Sequence, residues 1–243
     1  MIDLHCHILP GVDDGAGSMA DAVRMAHLAA LSGVQTIVAT PHCNLPGRKE
    51  NFAGEELSER VRQLNRAVRE QGIPVKILPG CEVFCTDELA KLLHRRKLQS
   101  LADSKYLLME FYFDESPEFM DRCFRSAVEA GYVPVVAHPE RYEAVYRDAQ
   151  LVPRWFREGY VIQLNKGSIL GRLGAHAETV ADWLLRQGFA HAVASDAHSP
   201  QHRTPHMDEV AAHLEALCGQ RYTHILLQGN PERIITDRML IKP

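Results

Sequence analysis

The chain has 243 residues, 46% of them hydrophobic and 24% charged, and a formal net charge of −4. This suits one globular domain over residues 1–243 with a sizeable core. The acidic balance excludes a general nucleic-acid footprint, which needs a basic surface, so a phosphorylated partner would have to be met by local basic residues. No apolar run has the length of a membrane span, so direct membrane insertion is not expected. No charged leader precedes an apolar stretch. The expected location is the cytoplasm, with the six cysteines reduced and without zinc-finger spacing or an obvious disulfide framework.

Apolar runs of strand length alternate with amphipathic runs of helix length. The strands fall at Ile2–Cys6, Thr36–Thr40, Val75–Leu78, Tyr106–Phe111, Val133–Ala137, Tyr160–Leu164 and Ala190–Ala194. Their nearly continuous apolar character is that of parallel strands buried on both faces. Ser18-x-x-Asp21 opens the first helix as a capping box and Gly33 closes it. A charged helix follows over Glu55–Gln71, ended by Gly72, and Thr86 is a candidate cap for a short helix through Arg96. Ser116-Pro117 opens another, with Pro in the first turn and Gly131 at its end. Gly159 and Gly188 close two more, and Ile225–Gln228 is a candidate additional strand. The alternation predicts a parallel α/β fold, with a closed or nearly closed seven-stranded barrel first and an open doubly wound sheet second.

In such folds functional groups collect at the carboxyl ends of the strands. Strand one ends in His5-Cys6-His7 and strand two in Thr40-Pro41-His42. Strand three leads to Glu82, strand four carries Glu110, strand five ends in His138-Pro-Glu-Arg141, and strand seven ends in Asp196-Ala-His198. In His-x-His and Asp-x-His the two side chains share one face of an extended chain. Mixed imidazole and carboxylate ligands suit manganese, iron or zinc better than calcium or magnesium. Each element has a bland reading: His-x-His alone is a weak signal, Glu110 could be a paired buried acid, and His138 could be a satisfied core histidine. Burying so many unpartnered acids would cost several kcal/mol each, whereas a metal cluster accounts for them together. The acid after Val12 is either Asp13 or Asp14. His27, His94, His176, His191, His213 and His224 are read as structural or solvated, while His202 and His206, flanking Arg203, are candidates for outer partners.

The opening Met1-Ile-Asp-Leu-His-Cys-His7, followed by Val12-Asp-Asp-Gly15, resembles the polymerase and histidinol phosphatase (PHP) superfamily. Within it, Ala137-His-Pro-Glu-Arg-Tyr142, Ala194-Ser-Asp-Ala-His198 and Arg203-Thr-Pro-His-Met207 resemble the bacterial manganese-dependent tyrosine-protein phosphatases of the CpsB/YwqE type. The resemblance extends to the terminal Asn230-Pro-Glu-Arg233. It implies a distorted seven-stranded β/α barrel of PHP type and three divalent metals, manganese before iron or zinc. His5, His7, Glu82 and Asp196 would hold one metal. Glu82 would bridge to a second, completed by Glu110 and His138, and Asp14, His42 and His198 would hold the third. Arg141 and Arg203 would grip the phosphoryl group. The implied substrate is a phosphotyrosine protein, the Tyr-rich tail of a cognate bacterial tyrosine kinase that controls capsule or exopolysaccharide synthesis. Two departures stand out: Cys6 replaces a small polar residue, and the loop Cys43–Ala53 varies, so Arg48 and Lys49 have no assigned role.

A cysteinyl-phosphate route needs an arginine at the sixth position after the thiolate. Those positions hold Val12, Lys49, Asp87, Lys91, Glu129 and His224. With no Gly-x-Ser-x-Gly elbow and no Walker A loop, water activated by metal is the expected nucleophile. Histidinol-phosphate phosphatase, another PHP-type phosphoesterase and a non-catalytic metal-binding module are the rival readings.

Overall fold

Beyond two of the seven expected strands the chain breaks and resumes as a further short strand, so that nine strands form among the described residues: β1 (Ile2–Cys6), β2 (Thr36–Ala39), β3 (His42–Cys43), β4 (Lys76–Pro79), β5 (Glu82–Phe84), β6 (Tyr106–Glu110), β7 (Val133–Ala137), β8 (Val161–Asn165) and β9 (Ala192–Ala194). The structure is a computed structural model, and it describes residues Met1–Lys242. The first break is at Thr40-Pro41, where proline has no N–H to give to a ladder. The second is at Gly80-Cys81. A Cβ on Gly80 would lie 2.6 Å from Val38 Cγ1, so only glycine lets the two chains approach this closely.

Every strand pairing is parallel. The strands form two sheets, β1-β2-β4 and β3-β5-β6-β7-β8-β9, rather than the expected closed seven-stranded barrel. The reason is local: the breaks at Pro41 and Gly80 carry the chain from the first sheet into the second. Beyond β9 the chain rejoins β1 through an isolated bridge, Cys6 to Ala197. Asp196 N–H donates to His5 O at 2.8 Å and His7 N–H to Ala197 O at 2.8 Å.

The helices follow the capping signals. Met19–Leu31 starts at Ser18, whose hydroxyl accepts from Asp21 N–H, and Pro117–Glu129 starts at Ser116, which accepts from Phe119 N–H. The charged helix spans Glu55–Glu70. Thr86 is not the cap of the next helix. Its hydroxyl accepts from Glu88 N–H at 3.3 Å in a turn, and the helix runs from Leu89 to His94. Ile225–Gly229 is not a strand either. It is a wide helical turn joining Asp208–His224 to Asn230–Ile235, with Ile225, Leu226 and Leu227 buried. A short apolar run has no periodicity to separate buried helix from strand. No helix among the described residues is long and apolar enough to cross a membrane.

A large apolar cluster joins strands and helices, and a smaller one includes Leu108, Val135, Ala137, Val161, Ala192 and Ala194. Alternate residues share a face. The rows Tyr106-Leu108, Val161 and Ala192-Ala194 of the smaller cluster therefore continue into Glu110, Gln163-Asn165 and Asp196. The site stands on this apolar floor.

His191 lies outside it, buried at 8% exposure and stacked on Phe156 at 4.6 Å between ring centroids. Its Nδ1 accepts from Ile162 N–H at 3.1 Å, which requires that nitrogen to be unprotonated. Burial pushes its pKa down to about 4. The unfolded chain therefore takes up the proton first, near pH 6.5. Stability is full above that value and falls towards pH 4, at about 1.4 kcal/mol per pH unit. We expect wild type to lose about 2 kcal/mol more than His191→Asn between about pH 7 and about pH 5 in urea unfolding. Equal losses would show that His191 is not the acid-sensitive group.

Candidate metal centre

The strand ends bring together all nine side chains expected from the sequence. His5, His7, Asp14, His42, Glu82, Glu110, His138, Asp196 and His198 form overlapping groups whose ligand atoms lie within 4.8 Å of one another. Glu82 is at the centre. Its Oε1 is 3.1 Å from both His5 Nε2 and His138 Nε2, and its Oε2 is 3.2 Å from His7 Nε2 and 3.1 Å from His42 Nδ1. Glu110 closes one side, 3.4 Å from His42 Nδ1 and 3.5 Å from His138 Nε2. Asp196 Oδ1 closes another, 3.5 Å from both His5 Nε2 and His7 Nε2. Asp14 Oδ1 faces His42 Nε2 and His198 Nε2 at 3.5 Å each.

The outer contacts determine what these imidazoles present inward. Gln163 spends its amide N–H on Leu164 O at 2.8 Å, so its oxygen accepts from His5 Nδ1 at 2.9 Å. Asp13 Oδ2 accepts from His7 Nδ1 at 2.7 Å. In the neutral rings both Nε2 lone pairs then point inward, where the two atoms face each other at 3.2 Å among carboxylate oxygens that draw protons onto them when no metal is bound. Buried acceptors converging on one point require a cation, and the outer hydrogen bond on each ring is the usual arrangement for a metal-ligating histidine. His198 follows the same rule, donating Nδ1–H to Asp196 O at 3.0 Å. His42 Nδ1 is buried and, although 3.1 Å from Glu82 Oε2, is not aligned to hydrogen-bond with it. The donor set fits divalent metal.

The choice between the two aspartates is geometric. Asp13 is an outer partner, accepting also from Gly15 N–H at 2.9 Å and His42 N–H at 3.0 Å. A Cβ on Gly15 would fall 2.0 Å from His7 O, so glycine is what lets this loop fold against β1 and aim Asp14 at the rim.

The electrostatics match the geometry. Burial opposes charge on His7, but hydrogen bonds to Asp13 and Glu82 prevail and push its pKa up to about 10. His42 is pushed up to about 11, against burial, by Glu110 and Glu82. Glu82 is held well below the carboxylate range, against burial, by His5 and the other imidazoles. His198 goes the other way, lowered by burial and by the charge of His7. Cys6 is buried in the larger core cluster, and burial pushes its thiol up, so no thiolate stands beside the centre.

Two guanidinium groups stand at the opening. Arg203 pairs with Asp196 Oδ2, and Arg141 Nη1 lies 3.8 Å from the same oxygen with its guanidinium 4.3 Å above the Phe113 ring. His138, Asp196 and Arg203 all have positive φ, at 34°, 49° and 50°. For residues other than glycine this stores roughly 1–3 kcal/mol each, and such strain concentrates at functional sites. Lys49 is paired with Glu56 at 2.6 Å and Arg48 is exposed. His202 is exposed, and His206 enters the site only through its backbone.

Gln163, Asn165 and Phe113 were not singled out from the sequence, and Asp13 stood there only as the alternative to Asp14. Asn165 donates to Asp196 Oδ2 at 2.5 Å. One signal was available: among the seven expected strands, the sixth is the one whose carboxyl end delivers neither His nor carboxylate, yet β8 places amides at i and i+2 in an otherwise apolar, buried run.

Fold and site define a parallel α/β protein with a histidine–carboxylate constellation built for divalent metals and flanked by two arginines. The family model for capsular polysaccharide synthesis, CpsB/CapC, matches residues 1–236, and the chain belongs to that family. It is 36% identical to the tyrosine-protein phosphatase YwqE of Bacillus subtilis, covering 100% of this chain and 94% of that protein. It is 29% identical to the tyrosine-protein phosphatase CpsB of Streptococcus pneumoniae, covering 99% and 100%. A solved structure from work on YwqE and CpsB, described as metal-dependent tyrosine phosphatases, superposes with a TM-score of 0.93 at 36% identity, covering 100% of this chain and 97% of that one.

Proposed function

We propose that this chain is a metal-dependent protein-tyrosine phosphatase, a phosphoric monoester hydrolase of the cytoplasm, acting as one domain over residues 1–243. The observation that carries the reading is the convergence of the His5 and His7 lone pairs on Glu82 and Asp196, with Arg141 and Arg203 at the opening. His5, His7, Glu82 and Asp196 hold one divalent ion, Glu82, Glu110 and His138 a second, and Asp14, His42 and His198 a third, manganese before iron or zinc. His7 also lies within reach of the Asp14 group. When bound, such ions supply Lewis acidity and a water nucleophile at neutral pH.

The chain's own residues do the rest. Arg203 and Arg141 bind the phosphoryl oxygens and neutralise charge on them as the bond to the leaving oxygen lengthens. Phe113 beneath Arg141 holds that guanidinium at the opening. A tyrosine leaving group has a pKa near 10, so it departs with less protonic help than an alkoxide, and no strong general acid is required. The partner is a phosphotyrosine protein, the Tyr-rich tail of a bacterial tyrosine kinase in capsule or exopolysaccharide synthesis. A flexible tail enters such an opening more readily than a folded surface does.

The test is a metal-stripped sample assayed on an aryl phosphate, a phosphotyrosine peptide and histidinol phosphate. We expect stripping to abolish turnover, manganese to restore it best, and the phosphotyrosine peptide to be preferred over histidinol phosphate. Full turnover after stripping would sink the reading, and preference for histidinol phosphate would redirect it to that alcohol ester.

A further inference from the structure

The chain leaving β8 places Asn165 and Lys166 beneath the Arg203–Asp196 pair. Lys166 is buried at 3% exposure, and among the described residues it forms no carboxylate ion pair. Its ammonium donates instead to two backbone carbonyls, Thr204 O and, at 2.7 Å, His206 O. The charges of Asp3 and Glu209 reach it only from beyond ion-pair distance, and burying an ammonium without a direct carboxylate partner is costly where an apolar side chain would fill the space without that cost. The position therefore calls for a role beyond packing.

The segment it grips bears Arg203. That segment is irregular, and it is backed by a cavity of about 370 Å³ that Lys166, Gly167, Leu173 and Thr204 help to line. Apolar packing fixes only its far end, through buried Pro205 and Met207, and leaves Arg203 and Thr204 over the cavity. Arg203 sits in the left-handed region, where an unbranched side chain is strained and must be held from outside. The holds within the segment are few: His198 N–H donates to Arg203 O at 2.9 Å, and Ser199 and His202 close a turn on one another. Asn165 grips the other member of the pair, Asp196. Neighbouring residues of one strand exit thus hold both halves: the carboxylate by an amide, and the arginine-bearing segment by an ammonium.

We propose that Lys166 is a positioning residue for Arg203, clamping the Thr204 and His206 carbonyls so that the guanidinium meets the phosphoryl group. The inference rests on the assignment of Arg203 as a phosphate ligand. It is tested in metal-loaded protein with Lys166→Met, Arg203→Ala and the double variant. Three quantities are read: metal content, affinity for inorganic phosphate by calorimetry, and KM and kcat on 4-nitrophenyl phosphate.

We expect Lys166→Met to keep its metal and to weaken phosphate binding on the order of 10-fold, since small misplacements of a positioning group carry losses of that size or greater. In the Arg203→Ala background the same change should alter phosphate binding by less than about twofold, because the group it positions is gone. Lys166→Gln, which keeps a donor for one carbonyl, should fall between. Equal effects of Lys166→Met in both backgrounds, or none in either, would overturn the inference. So would loss of fold or metal in both Lys166 variants, since that is a purely structural role. If Arg203→Ala alone leaves phosphate binding intact, the reading of Arg203 fails first, and the two failures are distinguished.

Discussion

Glu82→Gln is expected to abolish turnover and to strip the centre of most of its metal. The carboxylate stands 3.1–3.2 Å from four imidazoles and has both oxygens committed, so no neighbour can replace it. The amide keeps the volume, removes the charge and puts an N–H against lone pairs that need a cation. The loss of metal affinity should exceed the ~10–100-fold that removing an outer partner causes. Gln163→Ala, which frees His5 Nδ1 but leaves every expected ligand in place, supplies that lesser case. Metal analysis and turnover on an aryl phosphate read both variants. Wild-type metal content in Glu82→Gln would show that Glu82 is not the bridge.

The same contacts set a pH dependence. Carboxylates hold protons on His7 and His42, whose pKa values are pushed up to about 10 and about 11. A cation must displace those protons, so metal affinity rises with pH. In manganese titrations at fixed protein concentration, the half-saturating concentration should be lower near pH 8 than near pH 6, and the reverse order would contradict proton competition.

Much of this centre was legible in the chain because parallel strands turn sequence position into spatial position. A histidine or carboxylate at a strand's carboxyl end has nowhere to go but the rim, and so six strand ends converged without any contact being known. Less legible were features that depend on how backbones approach. The split at Pro41 and Gly80, which divides one expected barrel into two sheets, turns on a missing N–H and a missing Cβ. The Asp13–Asp14 choice depended on which carboxylate the Gly15 turn aims outward. Ile225–Gly229 had apolar content but no period, and the helices on either side decided its conformation. Lys166 carried no sequence signal, because nothing in Asn165-Lys166-Gly167 says that a carbonyl-lined slot from residues 204 and 206 will close over the ammonium.

Arg203→Ala should lower kcat/KM by roughly 10²–10³-fold, the usual loss when one preorganised donor to a developing anion is removed. Arg141→Ala should cost less. Arg203 contacts Asp196 Oδ2 directly and is 37% exposed, whereas Arg141 lies 3.8 Å from that oxygen and spends one face on Phe113. Both should keep metal near wild-type content. Asp196 faces His5 and His7 through Oδ1, and its Oδ2 remains held by Asn165 at 2.5 Å when either guanidinium is removed. Arg203→Lys should recover only part of the loss, because an ammonium is a point charge and cannot bridge two phosphoryl oxygens in the fork geometry of a guanidinium. Metal content separates the two possible roles. If Arg203→Ala loses metal along with turnover, the guanidinium serves Asp196 rather than the substrate, and phosphate recognition at this opening falls to Arg141.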